Sequence, residues 1–257
     1  MEMIRKPAVA GAFYPADKEN LEYMIDEYLK LCEKPHIDGE VKAIIVPHAG
    51  YIYSGIVAAA GYNLIKGLSD KKVLLLGPSH YVPFEAAAVP ESTVWQMPFG
   101  GVPVLKMPTS DLIHEFEDPF VEEHSLEVQI PFLQKVLNNF ELYPLCLGEV
   151  NAQALADELK DFTKREDVIV VVSSDLSHFY SYDEAKDLDD KANKYFPALN
   201  IEKAKNVEAC GIKGIMTLLY LAEELGLKGH FIDYRNSGDT GGDKSRVVGY
   251  GCYAFTK

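Results

Sequence analysis

The chain has 257 residues, with 25 Lys and Arg against 39 Asp and Glu and a formal net charge of −14. That excess of carboxylates would repel phosphates, so neither nucleic acid nor an anionic membrane is an expected partner. Apolar runs stay well short of the roughly 20 residues of a membrane span, and the opening MEMIRKPAVAGAFYP has no signal-type hydrophobic stretch. Four scattered cysteines without a CxxC pair suggest neither a disulfide framework nor a structural zinc site. A cytoplasmic protein is expected, folded as one domain over residues 1–257, since a chain this long buries roughly three quarters of its unfolded surface.

The first element is a helix. Asp17 caps it, Leu21, Met24, Ile25, Tyr28, Leu29 and Cys32 follow at helical spacing, and Pro35 stops it. An apolar strand, Val41 to Val46, runs into Pro47-His48-Ala49-Gly50 and is followed by a small-residue helix from Ser54 to Ile65. A second buried-type strand, Val73 to Leu76, ends in Gly77-Pro78-Ser79-His80. Glu85 to Val89 reads as a strand, and Phe99 to Val102 as a hairpin turn. Leu126, Ile130, Leu133 and Leu137 give helical spacing to Val121–Asn138, with Pro131 as a kink or a new start. A strand at Leu142–Leu147 and a helix at Ala152–Thr163 precede the strongest strand, Val168 to Val172, which runs into Ser173-Ser174-Asp175-Leu176-Ser177-His178. Helices over Asp183–Phe196 and Gly211–Leu225, a strand at His230–Tyr234, a Gly-rich loop at Ser237–Asp243 and a last strand at Val247–Phe255 complete the chain. Continuous Val/Ile/Leu strands alternating with helices predict an α/β fold: a central, mostly parallel or mixed sheet covered by helices on both faces.

Three strands run directly into polar, ligand-type side chains, namely His48, His80, and Asp175 with His178. Parallel strands bring their carboxyl ends to one edge of the sheet, where α/β proteins bind ligands. His48, His80, His124, Asp175 and His178 could therefore meet, and Cys210 could join them from the start of the late helix. Such a set suits a metal with open coordination positions: imidazole accepts Fe, Cu, Ni or Zn, and thiolate shifts the preference toward Fe(II), Cu(I) or Zn. Each residue has a plainer alternative. His124, in Glu122-Glu123-His124, could lie on a solvated acidic helix start, and Cys210 could be a small core residue. His36, His114 and His230 have no supporting neighbours. The loop Asn236–Ser245 ends in Lys-Ser but lacks phosphate-loop spacing and carries two Asp. It is expected to pack over the crevice and offer hydrogen bonds to ligating side chains.

The segments AVAGAFYPAD, VPHAGYIYSG, LLGPSHYV, EEHSLEVQIPFL, VVSSDLSHF, EACGIKGI and NSGDTGGDKSRVVGYG resemble, in order, the Memo family, whose archaeal and bacterial members are called AmmeMemoRadiSam system protein B. The match spans about Lys6 to Phe255. The resemblance implies a fold similar to the catalytic subunit of class III extradiol dioxygenases. It also implies iron(II), or copper, on His48, His80 and Cys210, with His178 as acid–base residue, Asp175 as its partner and His124 in the same pocket. Cys210 stands where those dioxygenases place a carboxylate, so ring cleavage does not carry over with the fold. An AMMECR-type protein and a radical-SAM enzyme are the implied functional partners, and the rich supply of tyrosine leaves room for a dimer.

Three classes of function follow. The first is a metal-dependent oxidoreductase or oxygen-activating protein of unknown substrate. The second is a module that binds a metal, small molecule or peptide in the same pocket without turnover. The third is a metal-free enzyme with Cys210 as nucleophile and a His as base.

Overall fold

The computed structural model describes residues 3–32 and 36–257; Pro35, the expected helix stop, lies outside the described residues. In chain order the strands are β1 (Ile4–Arg5), β2 (Val41–Val46), β3 (Lys71–Pro78), β4 (Ala87–Val89), β5 (Val94–Met97), β6 (Gly100–Pro103), β7 (Ile113–Glu115), β8 (Phe140–Leu147), β9 (Val168–Ser173), β10 (His178–Tyr180), β11 (Lys228–Asn236) and β12 (Val247–Thr256). The helices are α1 (Lys18–Leu31), α2 (Tyr51–Ile65), α3 (Asp118–Val121), α4 (Ile130–Val136), α5 (Ala152–Thr163), α6 (Tyr182–Tyr195), α7 (Ile201–Ala204), α8 (Ile212–Glu224) and α9 (Ser237–Thr240).

A nine-stranded sheet carries the fold, in the order β10-β12-β2-β9-β3-β8-β4-β7 with β11 also on β12; β1, β5 and β6 form a small separate sheet. Its centre is parallel: β2 on β9, β9 on β3, β3 on β8. The flanks are antiparallel, through β12 against β2 and β4 against β8. The sheet is thus mixed, and the chain is a single α/β domain.

The period-2 geometry of strands explains the layering. Ile44 and Val46 of β2, Ile169 and Val171 of β9, and Val73 and Leu75 of β3 face one core with α1, α2 and α4. Their neighbours Ala43, Ile45, Val170, Val172, Leu74 and Leu76 face a second core with α5, α6 and α8. Local signals fix several helix ends. Asp17 accepts the Asn20 N–H, Asn151 accepts the Ala154 N–H, and Ser181 with Glu184 forms a capping box.

The expected loop Ser237–Asp243 contains the short helix α9. Of the two readings of 121–138, a helix kinked at Pro131 or a new start there, the second holds. The chain there forms α3, then a loop, a 3-10 turn at Glu127–Gln129, and α4, with Pro131 in the first turn of α4. Proline has no N–H to donate, which suits a helix start and not an interior. β1, β7, β10 and α7 carried no sequence signal, being two to four residues long. The expected Phe99–Val102 turn is a hairpin of β5 and β6 that turns just before Gly100 (φ +120°).

Gly61 lets α2 lie directly on the sheet. A Cβ built there would sit 2.8 Å from Val46 Cγ1 and 2.9 Å from Cys252 Sγ. Gly61→Ala is therefore expected to destabilise the protein by about 1–3 kcal/mol, the usual cost of overpacking, although alanine is the better helix former. Urea unfolding of the two proteins checks it.

Candidate metal centre

Because β2, β3 and β9 run parallel, with Val46 beside Ser173 and Leu76 beside Val172, the residues just past their ends emerge at one edge. His48 and His80 follow β2 and β3 by two residues. His124 arrives from the loop after α3. One ring nitrogen from each of these three imidazoles lies within 4.8 Å of the others, so the group could hold a metal ion. The His80 and His124 rings stack at 4.6 Å, and His48 meets both nearly edge-on, at 5.2 Å and 5.4 Å.

The surrounding hydrogen bonds fix which nitrogens are free. Ser173 Oγ donates to the Ser125 carbonyl at 2.6 Å and accepts from Gln129 Nε2 at 2.7 Å. Its one proton is spent, so it must accept from His48 Nδ1–H at 3.0 Å, which leaves His48 Nε2 without a proton and able to accept. Gln129 is held by the Pro47 carbonyl and by Tyr62 Oη–H. His80 is set in the same way by Glu123, whose Oε1 accepts from Nδ1 at 2.9 Å and so frees Nε2. Glu123 also accepts the backbone N–H groups of His80, His124 and Ser125. Burial would raise its carboxyl pKa, but the His80 ring and these amides outweigh it and hold the group below the usual range. Carboxylate and hydroxyl partners on the outer nitrogen are the usual support of metal-binding histidines.

The electrostatics suit ligands without protons. Burial, then the neighbouring imidazoles, push His48 well below its ordinary pKa; burial likewise takes His124 down to about 4. The His124 Nδ1 atom is buried with no hydrogen-bond partner among the described residues, 3.4 Å from Glu123 Oε1. Two imidazoles held neutral by burial, His48 and His124, beside a third oriented by Glu123, fit a divalent first-row ion.

Cys210 comes to the same place. Gly211, the residue before α8, packs so closely on Ser173 and Ser174 that a Cβ would sit 2.6 Å from the Ser173 carbonyl oxygen. This brings Cys210 Sγ to 3.2 Å from His48 Nε2, where it also accepts the Asp175 N–H. The thiol lies outside the set of three mutually close nitrogens. Burial pushes its pKa up, so it is protonated at neutral pH and donates to His48.

Asp175 and His178 line a cleft of about 440 Å³ that also reaches His124. Asp175 Oδ1 accepts the His48 N–H at 2.8 Å, and burial lifts its pKa to about 6. Among the described residues no hydrogen bond joins Asp175 to His178, so its visible work is to clamp the β2 end to the β9 end. Phe13 closes the cleft over His124, with ring centroids 4.7 Å apart. It is carried there by a strap of residues 5–14 tied to Glu127, which is fully buried and accepts from Arg5, the Ala8 and Val9 amides, and Tyr14.

All six expected site residues thus border one region: His48, His80 and His124 as a cluster, Cys210 against His48, and Asp175 and His178 along the cleft. His124 is not on a solvated helix start; it follows a buried glutamate in a loop. The loop Asn236–Ser245 contributes no hydrogen bond to the imidazoles among the described residues. Asn236, Asp239 and Asp243 bond within the loop, and Asp239 also accepts from Tyr182. Ser173, Glu123, Gln129 and Glu127, which do the positioning, do not stand out in the sequence. The only local hint is the run of polar residues between Glu122 and Gln129. His230 bonds to Thr256, and Cys146 and Cys252 sit in the core, as structural residues.

An α/β domain with a potential three-histidine metal site at the carboxyl edge of its sheet is the class that fold and geometry define. The model of the Memo-like protein family matches residues 5–254. A MEMO1 family protein of Aquifex aeolicus is 38% identical, over 96% of this chain and 97% of its own. MEMO1 family proteins of Sulfolobus acidocaldarius and Nitrosopumilus maritimus are 36% and 32% identical, over 96% and 98% of this chain and 98% and 100% of their own. The chain belongs to the Memo family. No helix of the described residues is long and apolar enough to cross a membrane.

Glu127→Gln is expected to cost about 3–5 kcal/mol, because it strands the buried Arg5 guanidinium without its counter-charge. Chemical denaturation measures the loss.

Proposed function

We propose that the protein is a metal-dependent redox or oxygen-activating protein that binds iron(II), with copper as the alternative ion. His48, His80 and His124 hold the ion, and the Cys210 thiol stands ready to join them as a thiolate. The convergence of three imidazoles, with one ring nitrogen of each within 4.8 Å of the others, carries this reading. When bound, such an ion supplies Lewis acidity and one-electron chemistry. The protein's own groups do the rest. Glu123 and Ser173 fix the ring tautomers, Phe13 shields the imidazoles from water, and His178 exchanges protons with a molecule in the cleft while Asp175 supports it electrostatically.

A binding module without turnover is the second reading, favoured by a cleft that opens to the surface at His178 and Arg246. The metal-free thiol nucleophile is disfavoured, since burial keeps Cys210 protonated and His48 is a poor base.

Anaerobic loading with iron(II) is expected to give a single ion per chain, lost in His48→Ala and His80→Ala. Undiminished metal in both variants would end the proposal. In the cobalt(II) form, a thiolate-to-metal charge-transfer band present in wild type and missing from Cys210→Ser assigns the sulfur as a ligand; an unchanged spectrum, with metal lost from His124→Ala, assigns the third imidazole alone. Oxygen uptake with a reductant should fall about 100-fold or more in His178→Ala, the usual scale of a lost proton-transfer group. Ligand affinity without any such uptake supports the binding module.

A further inference from the structure

The cleft holds one cation that the metal reading does not use. Of the four arginines, Arg5, Arg165 and Arg235 each pair with a carboxylate. Arg246 has no carboxylate within 4.0 Å among the described residues, in a chain of net charge −14. It lines the cleft at its exposed rim, with its guanidinium carbon 5.0 Å from the Phe179 ring centroid. Phe179 is the bulged residue where β10 slips its register on β12; it sits at φ +66° and is 61% exposed. A non-glycine residue in the left-handed region costs roughly 1–3 kcal/mol. Here the bulge leaves His178 lining the cleft and Phe179 beneath a guanidinium at its mouth.

The rest of the cleft is graded. Of its lining residues Asp175 is buried and His124 half-buried, Arg246 and Asp243 are exposed, and Phe13, Tyr53, Val248 and Tyr250 supply apolar and aromatic surface. A volume near 440 Å³ takes a small molecule and not a folded partner.

We propose that the cleft selects a small organic monocarboxylate with an apolar or aromatic body, its carboxylate forked on Arg246 and its far end presented to the imidazoles. This rests on the metal reading only for what happens at the far end. Arginine's planar donors match a carboxylate in two parallel hydrogen bonds, and stacking on Phe179 keeps the fork in place. Asp243 and Asp175 in the same cleft count against a dianion such as a phosphate monoester.

The test uses 4-fluorobenzoate as probe, followed by fluorine NMR with the full chain, both metal-loaded and stripped by chelator. Saturable binding is expected, weakened about tenfold or more in Arg246→Gln, as for a lost charge-assisted hydrogen bond, and partly restored in Arg246→Lys. Asp243→Asn should tighten it, because it removes the competing carboxylate. The neutral isostere 4-fluorobenzamide and the dianion phenyl phosphate should bind more weakly than the benzoate. Absence of saturable binding, equal affinity for the amide, or an unchanged affinity in Arg246→Gln would overturn the inference. Metal content is measured on the same samples. Benzoate binding that persists in a His48→Ala protein without metal upholds the arginine site even if the metal reading falls.

Discussion

The parallel pairing of β2, β9 and β3 is the constraint from which the site follows. Each strand is buried on both faces, so a slip of one residue would turn every side chain into the wrong core. With the register fixed, the strands must end together, and whatever follows them in sequence is delivered to one edge. Two hydrogen bonds weld this edge: the Ser174 N–H to the Val46 carbonyl and the His48 N–H to the Asp175 carboxylate. Two of the three imidazoles, His48 and His80, thus stand at the terminus of the sheet itself, and the loop after α3 brings His124 to them.

Preorganisation comes from groups that never face the cleft. Ser173 and Gln129 settle one imidazole, and Glu123 settles the next while holding the backbone of the third. Burying three imidazoles side by side would be prohibitive if they were charged. Burial itself keeps His48 and His124 neutral, so the apo fold tolerates the arrangement that an ion would need. The single glutamate that serves both His80 and His124 makes these two rings one mechanical unit.

What could be read from the sequence was whatever the chain encodes locally. The run Val168–Val172 is β-branched throughout and announces a central strand; helix α5 declares itself by Asn151 and the Leu155–Leu159 spacing. His48, His80 and Asp175 were legible because three buried strands in turn run into ligand-type side chains, and parallel strands bring such ends to one edge. Their supports were not, because Ser173 and Gln129 act on residues 125 and 44 positions away, through contacts only the folded chain creates. The segment around His124 misled for a related reason. Its apolar spacing matches a helix, but Glu123 draws three backbone N–H groups to itself and Pro131 restarts the chain, so tertiary contacts overrode periodicity. Position in the chain offered Cys210 only as a candidate beside a plainer reading as a core residue, and the resemblance to the Memo family is what singled it out.

The close seating of α2 at Gly61 also divides the cleft into a part that is fixed and a part that is interchangeable. Ala49, Gly50 and Tyr53 belong to the wall cemented to the sheet, whereas residues 237–246 attach to themselves, to Tyr182 and Val248, and to that wall through Gly241 against the Tyr53 ring. The second wall is in effect a cassette. Grafting that segment from one relative into another should exchange what is admitted while leaving the imidazole chemistry untouched, so that selectivity and reactivity in this fold can diverge independently.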